Sequence, residues 1–188
     1  MPVLLLAGPS VEPITLAEAK AFLRVDHDAE DTLIGSLIIA ARATVKALTR
    51  RALIDQSWRI VRDTWPVSGL IAAPINPLRE VTGAHVLDLA GAELPVPVGA
   101  FICDFARLPG LIRVDRSMVI APGRAIAGIA IDVIAGHGTD VDHVPSPLIE
   151  AVRVVLAHFY EHRDVPGPSS ALPERLDALV APFRVMRL

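Results

Sequence analysis

The chain has little of what a covalent framework or a familiar catalytic apparatus requires. One cysteine, Cys103, stands among 188 residues. An intrachain disulfide is therefore excluded, which suits a reducing compartment. Aromatic residues make up 4%, so the apolar mass must come from Ala, Val, Leu and Ile. Lysine occurs only as Lys20 and Lys46, and the other basic residues are arginine. There is no excess of positive charge either. The net charge is −3 and the pI about 6.0, so no global field advertises binding to nucleic acid. The uncharged stretches Thr64 to Leu78 and Leu94 to Cys103 are too short or too broken by proline to span a bilayer. Met1 to Val11 has no Lys or Arg ahead of its short apolar run, so no secretory signal is expected. The phosphate-binding patterns G-x-x-x-x-G-K-[ST] and G-x-G-x-x-G and the nucleophile pattern G-x-S-x-G do not occur.

What the chain does have is apolar bulk. Hydrophobic residues make up 52% and the mean hydropathy is +0.48. Such a composition rules out intrinsic disorder and exceeds what a small soluble monomer usually shows. A chain of this length fits one domain, or one domain with an appendage, and buries roughly 70% of its unfolded surface without a metal or disulfide. The apolar surplus points to burial against other subunits.

Local patterns divide the chain into helix, strand and helix. Thr15-Leu16-Ala17-Glu18 is a capping box that starts a short helix to about Arg24. An acidic turn, Asp26 to Asp31, follows, with Asp28 suited to cap the next helix. From Ala29 to Thr49, Leu33, Ile34, Leu37, Ile38, Ala41, Val45 and Leu48 recur every three or four residues, and this predicts a long amphipathic helix closed by Arg50 and Arg51. Gln56 to Arg62 alternates as a half-buried strand does. Val81 to Leu87 and Glu93 to Val98 flank a turn containing Gly91, which predicts a hairpin. Shorter strands are expected around Arg113 and Val119, and a longer one over Ile126 to Ile134. Pro147 opens a helix to about Arg163. Asp164 to Ser170 reads as a linker, and a last helix is expected from about Pro173 to Met186. The predicted class is α+β: mainly a helical bundle, built from an N-terminal helix pair and C-terminal helices, with an inserted β-rich element. The organisation expected is one domain over 1–163 (helices in 15–49, a β-rich middle over 55–135, a helix over 147–163), a linker over 164–171 and a docking helix over 172–188.

Three segments carry residues suited to chemistry. His158-Phe159-Tyr160-Glu161-His162 matches H-x-x-E-H, in which two histidines on one helix face grip zinc and the glutamate acts as base. The third ligand is the difficulty, since Glu174 is the only glutamate after His162. Asp26 to Asp31 resembles a calcium loop only faintly: loop positions six and twelve hold Asp31 and Leu37 instead of glycine and glutamate. Gly136-His137-Gly138-Thr139-Asp140, with Asp142 and His143 close by, has no serine or cysteine nucleophile placed with it, and loops of this composition are ordinary turns.

The ordered set of segments is more specific than any one of them. Pro13-Ile14-Thr15-Leu16-Ala17-Glu18-Ala19-Lys20 leads to Leu23-Arg24-Val25-Asp26, then to Glu30-Asp31 and the Ala-rich helix. Leu48-Thr49-Arg50-Arg51-Ala52-Leu53 and Gln56-Ser57-Trp58 follow. Ala135-Gly136-His137-Gly138, Val144-Pro145 and His158-Phe159-Tyr160-Glu161-His162-Arg163 lie near the other end. This set resembles the head–tail connector (adaptor) family of tailed phages, prophages and gene transfer agents. His137 departs from it, because the family often has an aromatic after that glycine.

The resemblance implies a structural protein, not an enzyme, with no cofactor and no metal. It implies a homo-oligomeric ring, expected to be a dodecamer, between the portal and the stopper or tail, through which double-stranded DNA passes. Such a protein would assemble in the bacterial cytoplasm and end in the particle. In relatives the C-terminal segment reaches toward the portal. Here Leu172, Leu176, Leu179, Val180 and Phe183, flanked by Arg184 and Arg187, form a stripe able to dock in a partner's groove or to pack on its own domain. Since DNA must slide, the lumen should be mild or negative in charge. Asp26, Asp28, Glu30, Asp31, Asp140 and Asp142 are the candidates to face the channel or a neighbouring subunit. Two other functions compete: a zinc-dependent hydrolase built on His158, Glu161 and His162, and a DNA-binding packaging factor.

Overall fold

A computed structural model describes residues 2–162 and 172–184. Among them lie eight strands and four α-helices: β1 (Val3–Ala7), α1 (Leu16–Leu23), α2 (Asp31–Thr49), β2 (Gln56–Arg62), β3 (Leu70–Ala72), β4 (Leu78–Leu87), β5 (Glu93–Pro95), β6 (Phe101–Asp104), β7 (Leu111–Val114), β8 (Ile129–Ala135), α3 (Ser146–Glu161) and α4 (Glu174–Val180). They form two compact units, one from residues 1–9 and 55–136, the other from 10–54 and 137–188.

The first unit is all β. Its larger sheet has the order β1-β2-β8-β4-β5 and its smaller one β3-β7-β6, with every pairing antiparallel. Strand alternation sends Trp58 and Ile60 of β2 and Ile129, Ile131 and Val133 of β8 into one apolar cluster shared with Ile71, Ile112 and Val114 of the smaller sheet. In β4 the buried residues are Leu78, Val81, Ala84 and Val86. The steps of three residues fall where register shifts interrupt the β4–β8 ladder, because a bulge resets which face a side chain meets.

The second unit is helical. Thr15 and Glu18 form the capping box: the Glu18 N–H donates to Thr15 Oγ1 (3.2 Å) and the Thr15 N–H to the Glu18 carboxylate (2.8 Å). Ile34, Ile38, Ala41 and Val45 of α2 meet Leu148, Ala151, Val152, Val155 and Leu156 of α3 in one buried cluster, the spacing an amphipathic helix dictates. α2 has the length and apolarity of a membrane span, yet one face builds this core. Arg42, also buried on α2, pairs through Nε and Nη2 with Glu12 (2.7 and 3.2 Å), tying the segment before α1 to the helix.

The architecture is α+β, as the helix–strand–helix order implied, but it is not mainly a helical bundle. The β part is a complete unit with two sheets and its own core. Strands β1, β3 and β6 escape periodicity because they are three to five residues long, and the partners of β1 and β3 are also distant in sequence. No strand forms at Val119, and the hairpin's return strand stops at Pro95. α2 starts at Asp31, and its N-cap is Glu30, whose side chain makes no capping bond to the first turn; the Asp28 carboxylate is engaged by Lys20 instead. α4 stops at Val180, where Pro182 enters a 3-10 turn. The expected linker over 164–171 and the end of the last helix at Met186 lie outside the described residues.

Two glycines on this scaffold behave oppositely. A Cβ on Gly136, whose φ is +159°, would lie 2.5 Å from the backbone of Asp55. Gly35, inside α2, has nothing within 4 Å of that position. Gly136→Ala is expected to destabilise the fold by about 2–3 kcal/mol and Gly35→Ala to stabilise it by up to about 1 kcal/mol. Urea denaturation monitored by circular dichroism checks both signs.

Candidate assembly surfaces

The acidic turn is a clamp around one lysine. Lys20 of α1 reaches Asp28 at 2.5 Å and Asp31 at 2.7 Å. These bonds raise the Lys20 pKa, and Lys20 holds the Asp28 carboxyl below its ordinary range. Glu30 accepts a short hydrogen bond from the Tyr160 hydroxyl of α3. Asp26 is exposed. Asp140 and Asp142 belong to a different loop, where Thr139 Oγ1 donates to Asp140 (2.8 Å) and a 3-10 turn runs over Val141–His143. Sequence proximity alone did not reveal that Lys20 and Tyr160 take up much of the acidic turn's bonding capacity.

The C-terminal stripe packs within its own unit. Leu176 and Val180 are fully buried, and Leu172, Leu179 and Phe183 are packed around them. α4 sits against α3 and α2. Arg51 fixes the segment's end: its Nε donates to the Phe183 carbonyl (2.8 Å), and its guanidinium lies 5.4 Å from the centroid of the Phe183 ring. Arg184 pairs with Asp177 at 2.6 Å. Arg187 lies outside the described residues. Arg51, read from sequence as a helix-end charge, thus serves as the anchor of the C-terminal turn.

The two histidines of the H-x-x-E-H segment stack at 4.4 Å between ring centroids. His158 is buried, and His162 Nδ1 lies 2.9 Å from the His158 carbonyl oxygen, while Glu161 points to solvent. Among the described residues no three His, Cys, Asp or Glu side chains gather in a way that could hold a metal ion. Cys103 is half-buried, and burial pushes its thiol pKa up, away from nucleophilic use.

The sequence reading missed a different surface. Leu4, Leu5 and Leu6 of β1 are each about half exposed, on a strand that pairs only with β2. Ile102 of β6 and Leu70 of β3 are exposed as well. The run Val3-Leu4-Leu5-Leu6-Ala7 between Pro2 and Pro9 is the signal that could have found it.

Comparison with known proteins gives a consistent set. Residues 13–82 match the model of the family described as phage gp6-like head-tail connector protein. The whole chain is similar to a chain from the neck of an empty gene transfer agent particle computed with C6 symmetry. The identity is 29% and the TM-score 0.82, covering 100% of this chain and 97% of that one. A chain in the virion of a native gene transfer agent particle gives 28% and 0.82, and one in the neck of a native particle computed with C12 symmetry gives 27% and 0.80, with the same coverage. No curated protein matches.

His137 adds a pH dependence to the helical unit. Its imidazole is half-buried, its Nε2 has no hydrogen-bond partner among the described residues, and Arg51 lies near enough to oppose its protonation. Burial first, then Arg51, lowers its pKa from 6.5 to about 4. Between those values the unfolded chain binds the proton and the folded chain does not, so stability falls as the pH drops from 6.5 toward 4. His137→Asn is expected to flatten that part of the stability–pH profile. Unfolding midpoints in urea across the range check it, and an unchanged slope would refute it.

Proposed function

The chain belongs to the phage head–tail connector family, and from that premise we propose that it is a structural adaptor which joins head to tail. It forms a ring in the neck of a phage or gene transfer agent particle and lengthens the channel through which DNA passes. The observation that carries this reading is the full-length likeness to particle-neck chains, 100% of this chain against 97% of the other at a TM-score of 0.82. The likeness covers both compact units, beyond the segment matched by the family model.

Finer features rest on chemistry. A twelve-fold ring is favoured by the C12 neck that contains a similar chain. The portal lies on one side of this ring and the stopper or tail terminator on the other. The ring assembles in the bacterial cytoplasm before it becomes part of the particle. The net charge of −3 suits a channel wall that must let phosphates slide past instead of holding them. Asp26, Asp140 and Asp142 are the acidic residues we assign to the channel or to a neighbouring subunit. Asp28, Glu30 and Asp31 act there through their bonded partners Lys20 and Tyr160.

We assign portal docking to the C-terminal segment containing Leu172, Leu176, Leu179, Val180, Phe183, Arg184 and Arg187. Since Leu176 and Val180 fill the unit's own core, docking through that stripe exchanges one apolar seat for another. α4 is only seven residues long, and the Arg51–Phe183 contact is the latch to release.

Cells lacking the chain are expected to yield DNA-filled heads without tails in negative-stain images; tailed particles would refute the adaptor reading. A chain ending at Arg163 is expected to fold with reduced stability, having lost the cover of Leu176 and Val180, and to be absent from purified heads. Incorporation at the wild-type level would refute the docking assignment alone.

A further inference from the structure

A closed ring of identical subunits requires two different, complementary surfaces on each copy. The β unit offers a pair. Natural sheets protect their edges with charge, proline, bulges or very short strands; along Val3–Ala7 β1 has neither charge nor proline, and the bulge at Leu6 is its one such device. Among the described residues it pairs with β2 on one side only. The β1–β2 ladder shifts register between Leu5 and Ala7, so Leu6 is the extra residue, and the three leucines between them leave apolar surface on both faces of the strand. Such an edge is completed by another strand.

The remaining edges of the two sheets are not equivalent. β5 is three residues long and contains Glu93 and Pro95. β3 is three residues long, and the Leu70 N–H donates to Ser68 Oγ at 3.2 Å. β6 is four residues long and free of proline, carries its one charge at its end as Asp104, pairs among the described residues only with β7, and exposes Ile102 by 63%. Pairing β1 with β1 would close a two-copy contact and consume the edge, which cannot propagate around a ring.

Building on the ring reading above, we propose that β1 of each copy adds to β6 of the next, extending the neighbour's three-stranded sheet by one strand and covering Ile102 with those of Leu4, Leu5 and Leu6 that share its face. Backbone hydrogen bonds supply the pairing, and the leucines exclude water from it.

The test is cross-linking in assembled particles. In a Cys103→Ser background, Ile102→Cys is combined in turn with Leu4→Cys, Leu5→Cys and Leu6→Cys, and particles purified from producing cells are mildly oxidised. At least one pair is expected to give a ladder of covalent multimers beyond the dimer on a non-reducing gel. Each single β1 cysteine in the same background is expected to stay monomeric, and dimers there would show β1–β1 pairing and overturn the proposal. Tailed particles that contain the chain but give no ladder from any pair overturn the strand contact and leave the adaptor reading standing. Absence of the wild-type chain from purified particles overturns that reading and the contact with it. Leu5→Lys serves as a second readout: an unchanged melting temperature with loss of the chain from particles supports the contact, and normal incorporation opposes it.

Discussion

Seven consecutive residue pairs join β2 to β8, from Gln56 opposite Ala135 to Arg62 opposite Ile129, without a register shift. At the middle of the ladder Arg59 meets Asp132 directly, and the two form a bidentate pair at 2.7 and 2.8 Å. A slip by one residue would send every side chain of β2 to the opposite face and bring Trp58 and Ile60 out of the core. The ladder also returns the chain to its starting point. After the β excursion, residue 136 lies against residue 55, close enough that only glycine fits. Helices α2 and α3 belong to one core although the β strands separate them in sequence. Residues 55–136 can therefore stand as an insertion between α2 and α3, because the two ends of that insertion are held side by side; β1 joins the same sheet from residues 3–7.

The helical unit was far more legible than the β unit, for a physical reason. Helix signals are local: Thr15 and Glu18 cap each other three residues apart, and the Ile34-Ile38-Ala41-Val45 stripe repeats within one segment. Strand signals are shared between segments. β6 makes sense only opposite β7, and β1 only opposite β2, some fifty residues away. A short apolar strand such as Val3–Ala7 has no alternation to read, since both of its faces carry leucine or valine. The expectation of a mainly helical bundle followed from this asymmetry. The proposed sites divide in the same way. The residues of the acidic turn were visible as charges, but their partners were not, because Tyr160 lies 130 residues from Glu30. The C-terminal stripe was visible as an apolar face, whereas its seat against α3 depends on tertiary packing.

Charge in the helical unit is organised by pairing. Lys20 engages Asp28 and Asp31, Arg42 engages Glu12, and Arg51 is committed to the Phe183 turn. A segment that looks strongly acidic in sequence therefore projects a weaker field than its composition suggests, and arginines that could be taken for phosphate contacts are bound to the protein itself. In the DNA-conducting ring proposed above, this arrangement would supply rigidity without adhesion: paired charges hold their elements together while presenting little net attraction to a sliding backbone.

The apolar surplus is distributed unevenly, and the distribution is informative. Of the 17 large apolar side chains exposed among the described residues, 14 belong to the β unit and only Val11, Phe22 and Ile39 to the helical one. The terminal helix, the first place to look for sticky surface from sequence, has Leu176 and Val180 inside and Leu179 partly covered. If the surplus merely reflected a hydrophobic composition, both units would show it in similar measure, since their cores are of comparable size. Its concentration in the β unit, with Leu4 to Leu6 along one sheet edge and Ile102 on another, is what a subunit shows when one part is finished by its own fold and the other by its neighbours.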